Sequence, residues 1–176
     1  MTRPEGEGRY TLIKEDVIIG ENSRIWHFCN LYGCKIGKNT QIGSYSEIKQ
    51  DAEVGDNCRF QSYVFVPEST KIGNNVFIGP RVTFLNDKFP TTKKAIAKTW
   101  SLDAVVVEDE VTIGGGAVIL PGVRICRGAF IGAGSVVTRN VPKDCVVYGN
   151  PAKIKGQTGD DYYRIKILGI RKEKVE

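Results

Sequence analysis

Large apolar residues recur at every sixth position along most of the chain. One run covers nine such positions between residues 36 and 84, a second covers six between residues 107 and 137, and a third covers three between residues 19 and 31. A six-residue period fits neither a helix nor an alternating antiparallel sheet, and hairpin turns are not seen. Short strands that turn every six residues instead form three-sided coils of about 18 residues. The pattern predicts an all-β parallel solenoid of eighteen rungs, about six coils and about 29 Å tall at the usual strand spacing.

A small residue stands two positions before each large apolar residue. All eighteen of these positions hold Val, Ala, Ser, Thr or Cys, which indicates that they also turn inward. In chain order they are Val17, Ser23, Cys29, Cys34, Thr40, Ser46, Ala52, Cys58, Val64, Thr70, Val76, Val82, Val105, Val111, Ala117, Val123, Ala129 and Ser135. Glycine often follows the large apolar residue, as at Gly37 and Gly55. We expect it there because a backbone that turns a corner needs unusual dihedral angles.

Composition places the chain among globular proteins of one domain. It has 176 residues, of which 41% are hydrophobic and 26% charged, enough to bury a core without cross-links. No apolar run approaches the roughly 18 residues of a membrane-spanning helix. The first eight residues lack the basic and apolar segments of a secretory signal. We therefore expect no membrane contact and a cytoplasmic location.

Thiol and imidazole side chains are few. Five cysteines occur without a C-x-x-C pair, and His27 is the one histidine. The cysteines suit neither a disulfide framework nor a zinc ribbon, so we interpret them as reduced thiols. One histidine per chain makes a histidine-rich metal centre within the chain impossible, and no metal is expected.

The repeat is interrupted once, and charge is distributed unevenly. Residues 85–104 carry no hexad; a loop of this length must project from the prism and is usually functional, the alternative being a tolerated insertion. Residues 121–156 carry six Lys or Arg against one Asp. Few aromatic residues are interleaved with these cations, so a small phosphorylated ligand is favoured over nucleic acid. A solvated basic face is the alternative interpretation.

Open solenoid ends must be covered, which sets the predicted domain limits. Residues 1–156 are predicted to form the β-helix domain with its projecting loop, residues 85–104. Residues 157–176 are predicted to be a capping segment that forms a short helix, and residues 1–16 are the candidate cap at the other end.

The hexads resemble those of the hexapeptide-repeat acyltransferases over residues 17–156. Residues 146–153 (VVYGNPAK) are similar to the V-x-G-N-P-A-[KR] signature that ends the helices of those enzymes. The resemblance implies a left-handed parallel β-helix that assembles as a homotrimer, with active sites between subunits that the projecting loop helps to wall. It also implies that coenzyme A binds beside the later coils and that acetyl-CoA is the co-substrate.

Three shorter segments resemble the nucleotide-linked 3-amino-sugar N-acetyltransferases. They are residues 24–28 (RIWHF), 77–80 (FIGP) and 84–90 (FLNDKFP). Those enzymes acetylate a UDP-linked 3-amino uronate or a dTDP-linked 3-amino-3,6-dideoxyhexose by direct attack of the sugar amine on acetyl-CoA. The resemblance implies that Asn86 and Asp87 are catalytic residues that orient the sugar amine.

The same resemblance implies that Gln61 contacts the sugar from the coil below, the alternative being a polar residue that faces outward. We also expect Arg81, Lys88 and His27 to bind the nucleotide sugar. The alternatives are that Arg81 faces water and that His27 is structural. The residues implied to bind coenzyme A are Gly116, Gly134, Arg139, Lys143 and Lys153. Two departures leave the sugar and the nucleotide open: UDP-sugar members tend to read Q-N-N where residues 61–63 are QSY, and Leu85 replaces their usual Thr.

The projecting loop contains no histidine. Acylation of a hydroxyl needs a general base, whereas an amine with a pKa near 8 is partly neutral and nucleophilic at pH 7. The missing base therefore favours N-acetylation. The alternatives are a sugar O-acetyltransferase that uses His27 as its base and a non-catalytic β-helix scaffold. A carbonic-anhydrase-like zinc site needs three histidines and is disfavoured.

Overall fold

Short strands separated by turns wind through residues 10–159, the part of the chain that the computed structural model describes. All but the last two have two residues each. They are β1 (Leu12–Ile13), β2 (Ile18–Ile19), β3 (Arg24–Ile25), β4 (Asn30–Leu31), β5 (Lys35–Ile36), β6 (Gln41–Ile42), β7 (Glu47–Ile48), β8 (Glu53–Val54), β9 (Arg59–Phe60), β10 (Phe65–Val66), β11 (Lys71–Ile72), β12 (Phe77–Ile78), β13 (Thr83–Phe84), β14 (Val106–Val107), β15 (Thr112–Ile113), β16 (Val118–Ile119), β17 (Arg124–Ile125), β18 (Phe130–Ile131), β19 (Val136–Val137), β20 (Cys145–Tyr148) and β21 (Lys153–Gln157).

Each of the first nineteen strands pairs in parallel with strands one coil away, so every third strand joins the same sheet. Face 1 is the seven-stranded sheet from β1 to β19, face 2 is the six-stranded sheet from β2 to β17, and face 3 is the eight-stranded sheet that begins at β3 and ends with β20 and β21. In-register pairs lie 18 residues apart through most of the stack, for example Ile42 with Phe60. The result is the predicted three-sided parallel solenoid.

The interior is filled by the two sets of positions that the hexad pattern indicated. All eighteen large apolar positions are the second residues of β2 to β19. Each is buried except Ile19, which is half-buried, and the small positions are buried except Val17 and Ser23. One continuous core therefore runs along the prism axis, and burial of its apolar surface is the main term that stabilises the fold.

The two ends differ from the sequence prediction. Residues 1–16 were expected to cap the prism, but β1 lies within them and adds one more rung, pairing in parallel with β4. At the other end β20 and β21 form an antiparallel hairpin, although no hairpin was expected. The Gly-Asn-Pro turn connects these two strands. The predicted capping helix over 157–176 falls mainly on residues 160–176, which lie outside the described residues.

The glycines that follow the large apolar residues are needed for a different reason from the one predicted. Positive φ angles occur at other glycines, such as Gly116 and Gly134, and not at Gly37 or Gly55. A Cβ atom at Gly55 would lie 2.6 Å from the carbonyl oxygen of Gly73 in the next coil. These glycines therefore allow successive coils to approach closely.

The loop of residues 85–104 leaves the prism after β13 and returns at β14 without disturbing the stacking. It contains the one helix of the described residues, α1 (Thr92–Ala97), which has no buried residue. Thr91 caps this helix by accepting a hydrogen bond from the Lys94 N–H at 3.2 Å. The loop base is closed where the Asp103 N–H donates to the Asn86 carbonyl at 2.8 Å. The described residues contain no helix long and apolar enough to span a membrane.

Candidate active site

The three edges of the prism position the candidate side chains. The aromatic edge is the set of turns from face 3 to face 1, which includes residues 26–29, 43–46, 61–64, 79–82, 114–117 and 132–135. The loop edge is the set from face 1 to face 2, which includes residues 32–34, 49–52, 67–70, 85–105 and 120–123. The asparagine edge is the set from face 2 to face 3, which includes residues 20–23, 37–40, 55–58, 73–76, 108–111 and 126–129.

A cleft of about 350 Å³ lies on the loop edge, where the projecting loop joins the prism. Its lining residues are Lys49, Glu68, Asn86, Asp87, Pro90, Thr91, Ala95 and Trp100. Prism turns supply the charged floor, and the loop supplies Pro90, α1 and Trp100 as one wall. The two predicted catalytic residues, Asn86 and Asp87, thus lie side by side in an open cleft large enough for part of a small molecule.

Glu68 connects two of these residues through its carboxylate. One oxygen, Oε2, accepts a hydrogen bond from Asn86 Nδ2 at 2.9 Å, and the other, Oε1, pairs with Lys49 Nζ at 2.8 Å. Burial raises the pKa of the Glu68 carboxyl, but the hydrogen bonds from Lys49 and Asn86 outweigh it and hold that pKa below its usual value. The hydrogen bond to Glu68 in turn raises the pKa of Lys49. Both groups are therefore charged at neutral pH.

Asp87 is held by its own turn. Its Oδ1 accepts a hydrogen bond from the Phe89 N–H at 2.8 Å, a local arrangement that aspartate favours because the side chain is short. This bond uses one carboxylate oxygen. The neighbouring Lys88 pairs with Asp103 at 2.9 Å. Lys88, a candidate substrate ligand, is thus held at the base of the loop rather than in the lining of the cleft.

The other candidate substrate ligands lie on the aromatic edge. Gln61 lines a second cleft of about 330 Å³ together with Trp26 and Phe60. His27 is exposed on the same edge, with its ring centroid 6.5 Å from that of Trp26. Arg81 lies one coil above Gln61, and its guanidinium is 5.9 Å from the centroid of the Tyr63 ring.

An aromatic ladder occupies this edge, and we use that name for Tyr10, Phe28, Tyr45 and Tyr63. Neighbouring rings are stacked, with centroids 5.5, 4.8 and 4.8 Å apart along the series. Arg81, Gly116 and Gly134 take the same turn position in the later coils, and all seven residues have φ between 58° and 70°. The aromatic edge is therefore bulky in the early coils, cationic in the middle and free of side chains at Gly116 and Gly134.

The remaining coenzyme A candidates are dispersed. Arg139 and Lys153 line a cleft of about 270 Å³ at the end of the prism, with Val137, Val141 and Val147 among its apolar lining. Lys143 lies elsewhere, 3.6 Å from Asp144. With Gly116 and Gly134 on the aromatic edge, the five residues occupy three separate places in one chain.

Ion pairs neutralise part of the positive charge that residues 121–156 carry in the sequence. Arg124 pairs with Glu108 at 2.9 Å, and Arg127 pairs with Glu110 at 2.6 Å. These acids lie one coil earlier, 16 or 17 residues before their partners, and so fall outside the sequence window in which the cations were counted. Arg139 and Lys153 remain together at the prism end and form the more concentrated cationic site.

One chain therefore brings together only part of the predicted site. Asn86 and Asp87 share the loop-edge cleft, while Gln61, Arg81 and His27 lie on the aromatic edge, across face 1. Sequence reasoning missed Lys49, Glu68 and Trp100. A usable signal existed for Glu68, because it precedes Asn86 by 18 residues and one coil places it directly below. Among residues 10–159, no three His, Cys, Asp or Glu side chains are grouped so as to hold a metal ion.

Comparison with known proteins identifies the repeat. The family described as bacterial transferase hexapeptide (six repeats) matches residues 33–68 and 104–139. Residues 33–68 and 104–139 are therefore hexapeptide repeats of this family. Hexapeptide repeats wind as a left-handed β-helix, so the predicted handedness is confirmed together with the solenoid.

Individual relatives of this hexapeptide-repeat chain include acetyltransferases of two kinds. A galactoside O-acetyltransferase from Lactococcus lactis is 34% identical over 94 residues, which are 53% of this chain and 45% of that protein. A 2,3,4,5-tetrahydropyridine-2,6-dicarboxylate N-acetyltransferase from Staphylococcus aureus is 48% identical over 60 residues, which are 34% of this chain and 25% of that protein. The hexapeptide-repeat chain thus spans less than half the length of these two curated relatives.

A solved structure extends the likeness to most of the chain. It is a hexapeptide-repeat acetyltransferase from Vibrio cholerae in complex with acetyl coenzyme A, 28% identical to this chain with a TM-score of 0.51. The match covers 82% of this chain and 72% of that one.

Proposed function

We propose that this hexapeptide-repeat chain is an acetyl-CoA-dependent N-acetyltransferase that acts on the amino group of a nucleotide-linked sugar. The observation that carries the proposal is the loop-edge cleft, which pairs the oxygen-bearing side chains of Asn86 and Asp87 and has no histidine in its lining. The acetyl-CoA complex of the Vibrio cholerae structure and the acetyltransferase relatives support the acyl donor and the reaction class.

The cleft suits an amine substrate because a neutral amine nitrogen is already nucleophilic and needs orientation more than deprotonation. The carboxylate oxygen of Asp87 and the amide oxygen of Asn86 accept hydrogen bonds from the two N–H groups of a neutral primary amine. The nitrogen lone pair then points away from both acceptors and attacks the thioester carbonyl. A C–N bond forms, the C–S bond breaks, coenzyme A leaves as the thiol, and the proton lost by nitrogen balances the thiolate through solvent.

The site is completed by a second copy of the chain. Gln61 and Arg81 lie on a different edge from Asn86 and Asp87 and cannot share one small ligand with them in a single prism. In a homotrimer, the aromatic edge of one copy faces the loop edge of the next, so each site takes one edge from each of two copies. Arg81 and the cations of the later coils then bind the phosphates of the nucleotide sugar and of coenzyme A.

Intersubunit complementation tests this arrangement directly. Asp87→Ala and Arg81→Ala variants are each expected to lose more than about tenfold in kcat/KM. Co-expressed with different tags and isolated as mixed trimers, they regain activity, because about one site in three combines an intact loop edge from one copy with an intact aromatic edge from the next. Recovery no greater than the sum of the two variants alone contradicts a shared site.

A second candidate is O-acetylation with His27 as base. The Lactococcus lactis relative is an O-acetyltransferase, and His27 is exposed on the aromatic edge that a neighbouring copy would bring to the cleft. A screen of UDP- and dTDP-linked 3-amino and 4-amino sugars, with matched hydroxyl sugars, separates the two by release of free thiol. We expect turnover on an amine that His27→Ala changes by less than about threefold. Turnover on hydroxyl sugars alone, abolished by His27→Ala, assigns the second function.

A further inference from the structure

The contact between Glu68 and Asn86 fixes which way the Asn86 amide faces. An ionised carboxylate only accepts hydrogen bonds, and of the two amide ends only Nδ2 can donate. The 2.9 Å contact from Asn86 Nδ2 to Glu68 Oε2 therefore turns Nδ2 toward Glu68. Because the two ends of an amide lie on opposite sides of its carbon, Oδ1 is presented away from Glu68.

Lys49 makes this orientation persistent. Its ammonium pairs with the other carboxylate oxygen of Glu68 at 2.8 Å, and the side chains of Lys49 and Glu68 are only 35% and 25% exposed. A partly buried ion pair keeps the carboxylate charged and restricts its rotation. Glu68 is thus a fixed acceptor beneath the amide rather than a mobile surface acid.

The direction of the amide decides whether it helps or hinders an amine nucleophile. With Oδ1 outward, Asn86 accepts an N–H of the amine and leaves the nitrogen lone pair unoccupied. With Nδ2 outward, the amide donates to that lone pair, which is the electron pair that must attack the thioester. A reversed amide therefore binds the amine in an unreactive orientation.

We propose that Glu68, held by Lys49, is a positioning residue that presents Asn86 Oδ1 to the amine of the substrate. This inference rests on the proposed N-acetyltransferase function and adds to it a residue that never touches the reacting atoms. The inference also explains why Glu68 lies next to the two acceptors Asn86 and Asp87. Glu68 orients the Asn86 amide and does not contact the substrate amine.

An exchange of the two functional groups tests the proposal. Glu68→Gln removes the fixed acceptor, so kcat for the amine should fall by about tenfold or more while the KM for acetyl-CoA stays unchanged. Asn86→Asp places a second carboxylate against Glu68 and should also be impaired. In the double variant Glu68→Gln/Asn86→Asp, the glutamine donates to one aspartate oxygen and the other oxygen faces the amine. The double variant should therefore be several-fold more active than either single variant, the coupling expected of contacting residues.

The matched control is Glu53→Gln. Glu53 pairs with Lys71 at 2.9 Å on face 2 and does not line the cleft, so Glu53→Gln removes a comparable ion pair without an expected change in kcat. A double variant no better than the poorer single variant, or wild-type kcat in Glu68→Gln, overturns the positioning role.

A spectroscopic measurement separates this proposal from the proposed function. The Asn86 side-chain NH₂ signal, assigned by its loss in Asn86→Asp, should show one proton shifted downfield and protected from solvent exchange in the wild type but not in Glu68→Gln. A protected signal together with wild-type kcat in Glu68→Gln leaves N-acetylation standing and removes the positioning role. A wild-type enzyme that turns over no amine removes both.

Discussion

The aromatic ladder offers a stability prediction that isolates one interaction. Tyr45 and Tyr63 stack with centroids 4.8 Å apart and an angle of 4° between ring planes. Both occupy left-handed backbone positions, with φ of 62° and 64°. We consider the single variants Tyr45→Ala and Tyr63→Ala and the double variant that combines them.

The expected coupling follows from the geometry. A stacked aromatic pair contributes about 0.5–1.5 kcal/mol beyond the area that it buries. Tyr45 and Tyr63 are 49% and 52% exposed, so solvent competes for the ring faces and we expect about 0.5–1 kcal/mol. Alanine meets much the same penalty in the left-handed region as tyrosine does, and the cycle therefore cancels the backbone term.

Chemical denaturation of the four proteins at one protein concentration measures the coupling, since assembly would otherwise shift the apparent stability. The control cycle combines Tyr45→Ala with Asn75→Ala, which lies on the asparagine edge. Its two effects should add to within about 0.3–0.5 kcal/mol. A coupling free energy for Tyr45 and Tyr63 inside that same margin would refute the stacking argument. The rings would then be adjacent only because the coils stack in register, without stabilising the protein.

Three further predictions concern the core and the turns. The buried Thr70 hydroxyl has no hydrogen-bond partner among the described residues, so Thr70→Val should raise the free energy of unfolding by about 1 kcal/mol. The control is Thr40→Val, which should lower the free energy of unfolding by about 1 kcal/mol because the Thr40 hydroxyl donates to the Gly55 carbonyl at 2.9 Å. Burial raises the pKa of the Cys34 thiol from 9.0 to about 11. The stability that the neutral thiol contributes is fully present below pH 9 and is lost as the pH rises through about 11, so the free energy of unfolding should fall over this range. Cys34→Ala should make that fall smaller in denaturation measured at the same pH values. Gly55→Ala should lower the melting temperature through a cost of about 1–3 kcal/mol, because its Cβ would lie 2.6 Å from the Gly73 carbonyl oxygen.

The winding of the chain was predictable because two independent positions in every hexad encode it. A large residue such as Ile42 and a small one such as Thr40 recur together, so a shift of register would expose both sets at once. The chain even keeps this pattern across the five-residue step from Leu31 to Ile36 and across the projecting loop. The hairpin of β20 and β21 does not continue the six-residue pattern, since Val146 and Val147 are consecutive buried residues. Its pairing was therefore not predicted.

The candidate site was predictable only where its residues are close in sequence. Asn86 and Asp87 are neighbours, and the motif that carries them is local. Glu68 contacts Asn86 through stacking of coils, which the 18-residue coil length would have shown had it been applied to polar positions. Gln61 and Asn86 are separated because their turns lie on different edges of the prism. The edge of a turn is found from its place in the order of three turns per coil, which no sequence motif reveals.

The three edges share one backbone requirement and meet it with different residues, and this difference identifies the edge with a role beyond folding. Most turns between faces contain a residue in the left-handed region, where asparagine and glycine are favoured and bulky side chains are strained. The asparagine edge uses Asn22, Asn39, Asn57 and Asn75 in its first four turns, as backbone preference dictates. The aromatic edge places Phe28, Tyr45, Tyr63 and Arg81 at the equivalent positions. Stacking offsets part of the strain, but asparagine would have reduced it more simply, so the side chains on this edge are better explained by what they contact than by the turn they make.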